Sequence, residues 1–163
     1  MRRLAPLVLA IVAAGCSSSA DKLVVFPKSG NACRAGQLGV FTDTLNGGGA
    51  VSGAFQLRNR SLSACSLRGR PELALFDGVG RPLPVRVLPA REARVRLRPQ
   101  GTTNIPFEWR NWCRQSFPAT VRIELRLPSG GGVIAVRTQT GRPSCQAPTR
   151  PSTASLGPFG AGT

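Results

Sequence analysis

The sequence predicts an all-β fold, a sandwich of seven to eight short antiparallel strands. Three observations carry this expectation. Apolar residues recur at every second position in several segments, and no segment sustains a 3.6-residue apolar period. The strand-like runs come at roughly ten-residue spacing, each bounded by Gly, Pro or Asn. The 19 glycines and 14 prolines fall largely between those runs, where turns are needed. Short strands punctuated in this way are the pattern of an immunoglobulin-like sandwich.

Residues 38–45 and 50–59 read as a first hairpin about Gly47-Gly48-Gly49. In its second arm Phe55 and Leu57 alternate with Gln56, Arg58 and Arg60, which marks one buried and one wet face. Residues 71–77 form a compact apolar strand, Asp77-Gly78-Val79-Gly80 turns the chain, and 83–88 follow. Ala93, Val95 and Leu97 then alternate with Arg94, Arg96 and Arg98 before the turn Pro99-Gln100-Gly101. The next strand, 102–109, leads to Trp112 and Cys113. The clearest strand interleaves Val121, Ile123, Leu125 and Leu127 with Arg122, Glu124 and Arg126, where Glu124 suggests local charge pairing. Its partner is 133–137, across Ser129-Gly130-Gly131-Gly132. The tail 148–163 is rich in Pro, Ser and Gly, and 155–159 is a candidate edge strand.

The N-terminus carries an address. Arg2 and Arg3 precede an apolar run over 4–14 that closes with Ala13-Ala14-Gly15-Cys16. This is a short signal peptide ending in a bacterial lipobox, with Ala13 where Leu is commonest. The run falls well short of the ~20 apolar residues a spanning helix needs. The expected organisation is a cleaved leader (1–15), a tether from a lipidated Cys16 (16–32), the sandwich (33–147) and the tail (148–163). Ordinary secretion with a free Cys16 thiol is the competing reading. Cysteine parity favours the lipid, since Cys16 is the odd one of five. Acylation at Cys16 would anchor an extracytoplasmic lipoprotein to the bacterial cell membrane.

The other four cysteines, Cys33, Cys65, Cys113 and Cys145, read as two disulfides in an exported chain. Cys33 and Cys65 are spaced equally about Gly49, and Cys113 and Cys145 about Ser129, beside the two glycine runs. Antiparallel hairpins centred there would bring Cys33 to Cys65 and Cys113 to Cys145, within the ~7 Å between Cα atoms that a bridge tolerates. The nested pairing, Cys33 with Cys145 and Cys65 with Cys113, remains the alternative. Each loop of the first pairing contributes roughly 3–4 kcal/mol through loop closure.

Charge bounds the partners. The chain has 22 Lys and Arg against 7 Asp and Glu, a net +15, which loss of Arg2 and Arg3 reduces to +13. Outside the cell the counterparts of such a field are anionic wall polymers or lipid headgroups, with an envelope protein as a further candidate partner; intracellular nucleic acid is not expected. Arg94, Arg96 and Arg98 would stand about 7 Å apart on one strand face, a candidate anion contact. They could equally be a solvated face or a guard on a sheet edge.

Catalytic chemistry is hard to assemble. The chain has no His and no Tyr, so the familiar nucleophile–base pairs are missing. The carboxylates Asp21, Asp43, Glu72, Asp77, Glu92, Glu108 and Glu124 are scattered, which leaves a carboxylate-dependent hydrolase a distant alternative. No close Cys pair or acidic loop pattern suggests a metal, and no cofactor is expected. Trp109 and Trp112 read either as a sugar platform or as core, the latter favoured by the neighbouring Cys113. Asn59-Arg60-Ser61 matches a glycosylation sequon.

Several segments together resemble a known family. They are Cys33-Arg34, the strand end at Asn59 with Cys65-Ser66-Leu67-Arg68-Gly69, and the strand after Pro71. Trp109-Arg110-Asn111-Trp112-Cys113, Leu127-Pro128-Ser129-Gly130 and Pro143-Ser144-Cys145 with Pro151-Ser152 continue the likeness, over roughly 33–159. The family is the actinobacterial exported domain known as domain of unknown function 4232, often found on lipoproteins. The resemblance implies an immunoglobulin-like sandwich in an envelope protein and brings no catalytic or binding residues with it. The high Arg content departs from it. A non-catalytic binding or interaction module is the expectation, with a purely structural envelope component as the alternative.

Overall fold

The computed structural model describes residues 31–47 and 49–160; the expected leader, the expected lipidation of Cys16 and nearly all of the expected tether fall outside the described residues. After a 3-10 turn at Ala35–Gln37, ten strands follow: β1 Leu38–Gly47, β2 Ala50–Asn59, β3 Cys65–Gly69, β4 Glu72–Asp77, β5 Val85–Leu88, β6 Ala93–Leu97, β7 Thr102–Arg110, β8 Val121–Leu127, β9 Gly132–Thr138 and β10 Ser152–Leu156. They form a five-stranded sheet in the order β1-β2-β7-β10-β5, a three-stranded sheet β4-β8-β9 and a two-stranded ribbon β3-β6. Among the described residues no helix is long and apolar enough to cross a membrane.

Period-two alternation builds the core. Thr103, Ile105, Phe107 and Trp109 of β7 are buried, as are Val121, Ile123, Leu125 and Leu127 of β8. With Phe55 and Leu57 of β2, Leu67 of β3, Leu75 of β4 and Leu97 of β6, the apolar residues among them make one cluster shared by all three sheets. Each fully buried aliphatic or aromatic side chain contributes roughly 1.5–3 kcal/mol by leaving water. The outward residues carry the charge pairing expected around Glu124: Arg122 meets Glu124 at 3.2 Å, and Arg126 meets Glu72 across β4–β8 at 3.4 Å.

Both disulfides join the expected cysteines, Cys33–Cys65 with Cα atoms 4.9 Å apart and Cys113–Cys145 at 4.6 Å. The geometry that unites them is not the extended hairpin. The β1–β2 register ends at Leu38↔Asn59 and the β8–β9 register at Val121↔Thr138. Continued, those ladders would set Cys33 against Ala64 and Cys113 against Gln146. Instead the chain leaves each sheet. Segment 31–33 runs parallel to β3, with Cys33 N–H donating to the Ser66 carbonyl and Ser66 N–H to the Asn31 carbonyl, both at 3.0 Å. The glycine turn before β9 packs on this segment: a Cβ on Gly131 would lie 2.5 Å from the Cys33 carbonyl oxygen.

Two strands go beyond those read from the sequence. β3 is only five residues long, with two inward side chains, Cys65 and Leu67. β10 corrects the expected edge strand at 155–159. It begins earlier and lies inside the sheet, antiparallel to β7 and parallel to β5. Its small residues leave little apolar signature, yet Ala154 and Leu156 fill the core and Phe159 is buried beyond them. The sandwich therefore extends past residue 147.

Two buried asparagines hold the points where the chain leaves the five-stranded sheet. Asn59, the last residue of β2, is fully buried. Its Nδ2 donates to the carbonyls of Ser63 (2.8 Å), Leu97 (3.2 Å) and Arg98 (3.2 Å), while Oδ1 accepts from the N–H (3.0 Å) and Oγ (2.7 Å) of Ser61. An amide so engaged is not open to a glycan in the folded domain, so the sequon match is structural. Asn111, just after β7, adopts φ 62°, a left-handed conformation Asn tolerates better than most residues. Its Oδ1 accepts from Gln146 N–H (3.0 Å) and Ala147 N–H (2.9 Å), and Nδ2 donates to the carbonyls of Ala147 (2.9 Å) and Arg150 (2.8 Å).

Replacing Asn59 with Ala removes its bond to the buried Leu97 carbonyl and its bonds to part-buried groups of Ser61, Ser63 and Arg98, and should cost about 2–4 kcal/mol in chemical denaturation. A loss under 1 kcal/mol would show that water substitutes for the amide. Asp77 gives a pH signature. The Arg81 backbone N–H donates to its Oδ1 at 2.8 Å, Val79 N–H at 3.1 Å, and Arg81 Nε to Oδ2 at 2.8 Å. These bonds, led by that from the Arg81 backbone, hold the carboxyl below its ordinary value against opposing desolvation. A depressed folded-state pKa contributes stability above the unfolded value of about 4 that fades as pH falls further. The melting-temperature gap between wild type and Asp77→Ala should therefore be constant near neutrality and narrow below about pH 4.

Candidate anion-binding face

The β3–β6 ribbon presents Cys65, Leu67 and Leu97 to the core, so the alternate positions face water. Arg94 and Arg96 project from β6, and Arg98 follows in the same phase at the start of the turn to β7. All three are exposed. The register adds a residue that sequence reasoning missed: Arg68 of β3 lies directly opposite Arg94, and Ser66 opposite Arg96. Arg68 was hidden because its strand is short and its neighbour is distant in sequence. The signal available was its exposed phase beside Leu67.

Like charges directly opposite on a sheet are destabilising. Among the described residues, no carboxylate lies within 4.0 Å of Arg68, Arg94, Arg96 or Arg98. The four carboxylates that do form ion pairs sit elsewhere: Asp77 with Arg81, Glu108 with Arg110, Glu124 with Arg122 and Glu72 with Arg126. The ribbon thus carries an uncompensated positive row with a polar serine between its arms. β6 pairs along one side only, which leaves the row on a free edge.

The other candidates resolve differently. Trp109 and Trp112 are buried, their rings 5.4 Å apart at 89°, and each also packs on Phe117. Trp109 Nε1 donates to Ser152 Oγ at 2.8 Å and Trp112 Nε1 to the Ser116 carbonyl at 2.9 Å. They are core, with no free ring face for a sugar. Glu72 and Glu124 lie diagonally across β4–β8, and each already binds a guanidinium. Asp43 and Glu92 are exposed, and Asp21 lies outside the described residues. Among the described residues no three or more His, Cys, Asp or Glu side chains cluster as metal ligands would.

Exchanging Arg94 for Glu sets opposite charges across the ribbon. Arg94→Glu should raise stability by a few tenths of a kcal/mol at low ionic strength, a gain that shrinks in salt. Unchanged or lower stability at low salt would show that Arg68 and Arg94 do not repel.

Neither a curated protein nor a solved structure matches the chain. One family model does, over residues 33–159, from the first disulfide cysteine to the buried Phe159, so it covers all ten strands. The chain belongs to that family, described as Domain of unknown function (DUF4232).

Proposed function

We propose that the protein is an extracytoplasmic lipoprotein, anchored to the bacterial membrane through Cys16, whose sandwich is a non-catalytic module that binds an anionic envelope polymer. The observation that carries this reading is the exposed row of Arg94, Arg96 and Arg98 with Arg68 in register beside it, four guanidiniums without a carboxylate partner among the described residues. Arginine forks match phosphate and carboxylate oxygens in a bidentate way. Side chains of one phase recur about every 7 Å along a strand, which suits a chain of repeated charges. An anion bound across Arg68 and Arg94 would also relieve their repulsion. The lipobox and the net charge of +13 left after loss of Arg2 and Arg3 support the same setting. Among the described carboxylates, Glu72, Asp77, Glu108 and Glu124 each pair with an arginine.

A second reading has a specific observation behind it. β6 is a free edge, and charged residues on an edge deter pairing with another chain. On that reading the domain is a structural envelope component, and the row is a guard without a ligand.

Co-sedimentation of the chain from residue 21 onward with stripped envelopes separates the two. Retention at low salt that falls steeply towards physiological salt is expected, because exposed charges are screened within about 10 Å at 0.1 M. The triple variant Arg94→Gln, Arg96→Gln, Arg98→Gln should lose most of that retention. Retention indifferent to salt would favour a packed protein partner, and no retention in either buffer would favour the structural reading.

A further inference from the structure

A second set of arginines lies on the five-stranded sheet. Thr153 of β10 pairs with Arg86 of β5 on one side and with Arg110 of β7 on the other. These three residues therefore form one row straight across three strands. Neighbouring strands lie about 4.8 Å apart, so the two arginine backbones stand roughly 10 Å from each other with Thr153 between them. The inward phase of the same strands holds Trp109 and Ala154, which sets the row on the outer face. The loop that enters β10 closes one end of it. The result is a hollow of about 510 Å³ lined by Arg86, Arg110, Gln146, Arg150 and Thr153.

The hollow is built rather than incidental. Asn111 forms part of its wall and fixes the backbone at Gln146, Ala147 and Arg150 with one buried side chain. The Cys113–Cys145 bridge ties the same loop to the chain just beyond Asn111. Ser152 Oγ donates to the Arg110 carbonyl at 3.1 Å and accepts from Trp109 Nε1, which joins β10 to β7 at this end. Holding polar groups in place before a ligand arrives lowers the ordering cost of binding.

The charges are unequal. Arg110 gives one N–H to Glu108 at 2.6 Å, and that carboxylate lies on the same outer face. Arg86 and Arg150 are exposed, with no carboxylate within 4.0 Å among the described residues. Three guanidiniums against one carboxylate leave a positive concavity, and concave surfaces focus potential more than flat ones. The volume falls within the range of small-ligand sites, although such sites are usually more apolar. A polar wall with a hydroxyl and an amide suits a small hydrophilic molecule that carries a concentrated negative charge.

We propose that this hollow is a binding site for a small phosphate monoester, with the phosphoryl group held between Arg86 and Arg150, Arg110 at its side, and the polar remainder towards Gln146 and Thr153. A monoester is favoured over a polymer's diester because the three arginines line one compact hollow rather than an extended row, and a dianion concentrates its charge in such a space. This site is separate from the β3–β6 row, and either could exist without the other.

Titration calorimetry of the full chain with glycerol 3-phosphate tests it, with dimethyl phosphate as the diester control. Saturable one-to-one binding is expected, weakened tenfold or more by Arg86→Gln and by Arg150→Gln, each checked for an unchanged melting temperature. Glu108→Gln should tighten binding by freeing Arg110, whereas the Arg94, Arg96 and Arg98 triple variant should leave it unchanged. No saturable binding would overturn the proposal. So would binding that survives the Arg86 and Arg150 changes, or that falls equally in the triple variant. Equal affinity for dimethyl phosphate would overturn the monoester assignment.

Discussion

Where the chain leaves the five-stranded sheet after β2 and after β7, it releases backbone N–H and C=O groups beside a buried asparagine. That constraint governs the fold, because such groups must find partners or cost a large part of the domain's margin of stability. Two asparagine side chains meet it, one at the end of β2 and one just after β7. An amide suits the task because it both donates and accepts, and so can satisfy carbonyls and N–H groups at once. Asn59 joins the loop after β2 to the end of β6, and Asn111 joins the end of β7 to the loop before β10. Each crossing is also braced by a disulfide, worth roughly 3–4 kcal/mol by loop closure. Remove these ties and the strands would still alternate, but the ribbon β3–β6 and the strand β10 would lose their positions.

Those positions decide where the surplus charge goes. With 22 basic residues and 7 acidic ones, most arginines have no carboxylate to meet. The acids are placed so that Glu72 and Glu124 quiet the face of β4–β8, while Asp77 serves a turn. Part of the excess lies in two arrangements of different shape. On the β3–β6 ribbon it lies along a flat, open strand. On the outer face of β5, β10 and β7 it surrounds a hollow. A flat row suits the extended repeating ligand proposed for it, and a hollow suits a single compact one. Shape thus separates two anion readings that composition cannot tell apart.

The aromatic side chains connect the core to the hollow. Trp109, Trp112 and Phe117 pack edge to face or tilted, an arrangement worth about 0.5–1.5 kcal/mol per pair beyond their burial. Burying a tryptophan leaves its N–H to be satisfied. Trp109 does so through Ser152, whose hydroxyl in turn donates to the Arg110 carbonyl. The rigidity of the core is therefore passed to the backbone that carries Arg110 and Thr153.

Much of the fold was legible in the sequence, because inward–outward alternation is a local property of a strand. Eight strands were readable from it, β8 most clearly, and so was the burial of Trp112 beside Cys113. The cysteine pairing was also reached, although through hairpin symmetry, whereas the real contacts come from segments that leave the hairpins. Arg94, Arg96 and Arg98 were readable as a row, since they share one strand. Arg68 was not, nor was the row Arg86–Thr153–Arg110, and β10 was expected at an edge rather than between β7 and β5. Alternation tells which face a residue takes but carries no information about which strand lies beside it. Neighbourhood between strands distant in the chain is set by packing and by buried hydrogen bonds, so the composition of both arginine sites was decided only when the layers closed.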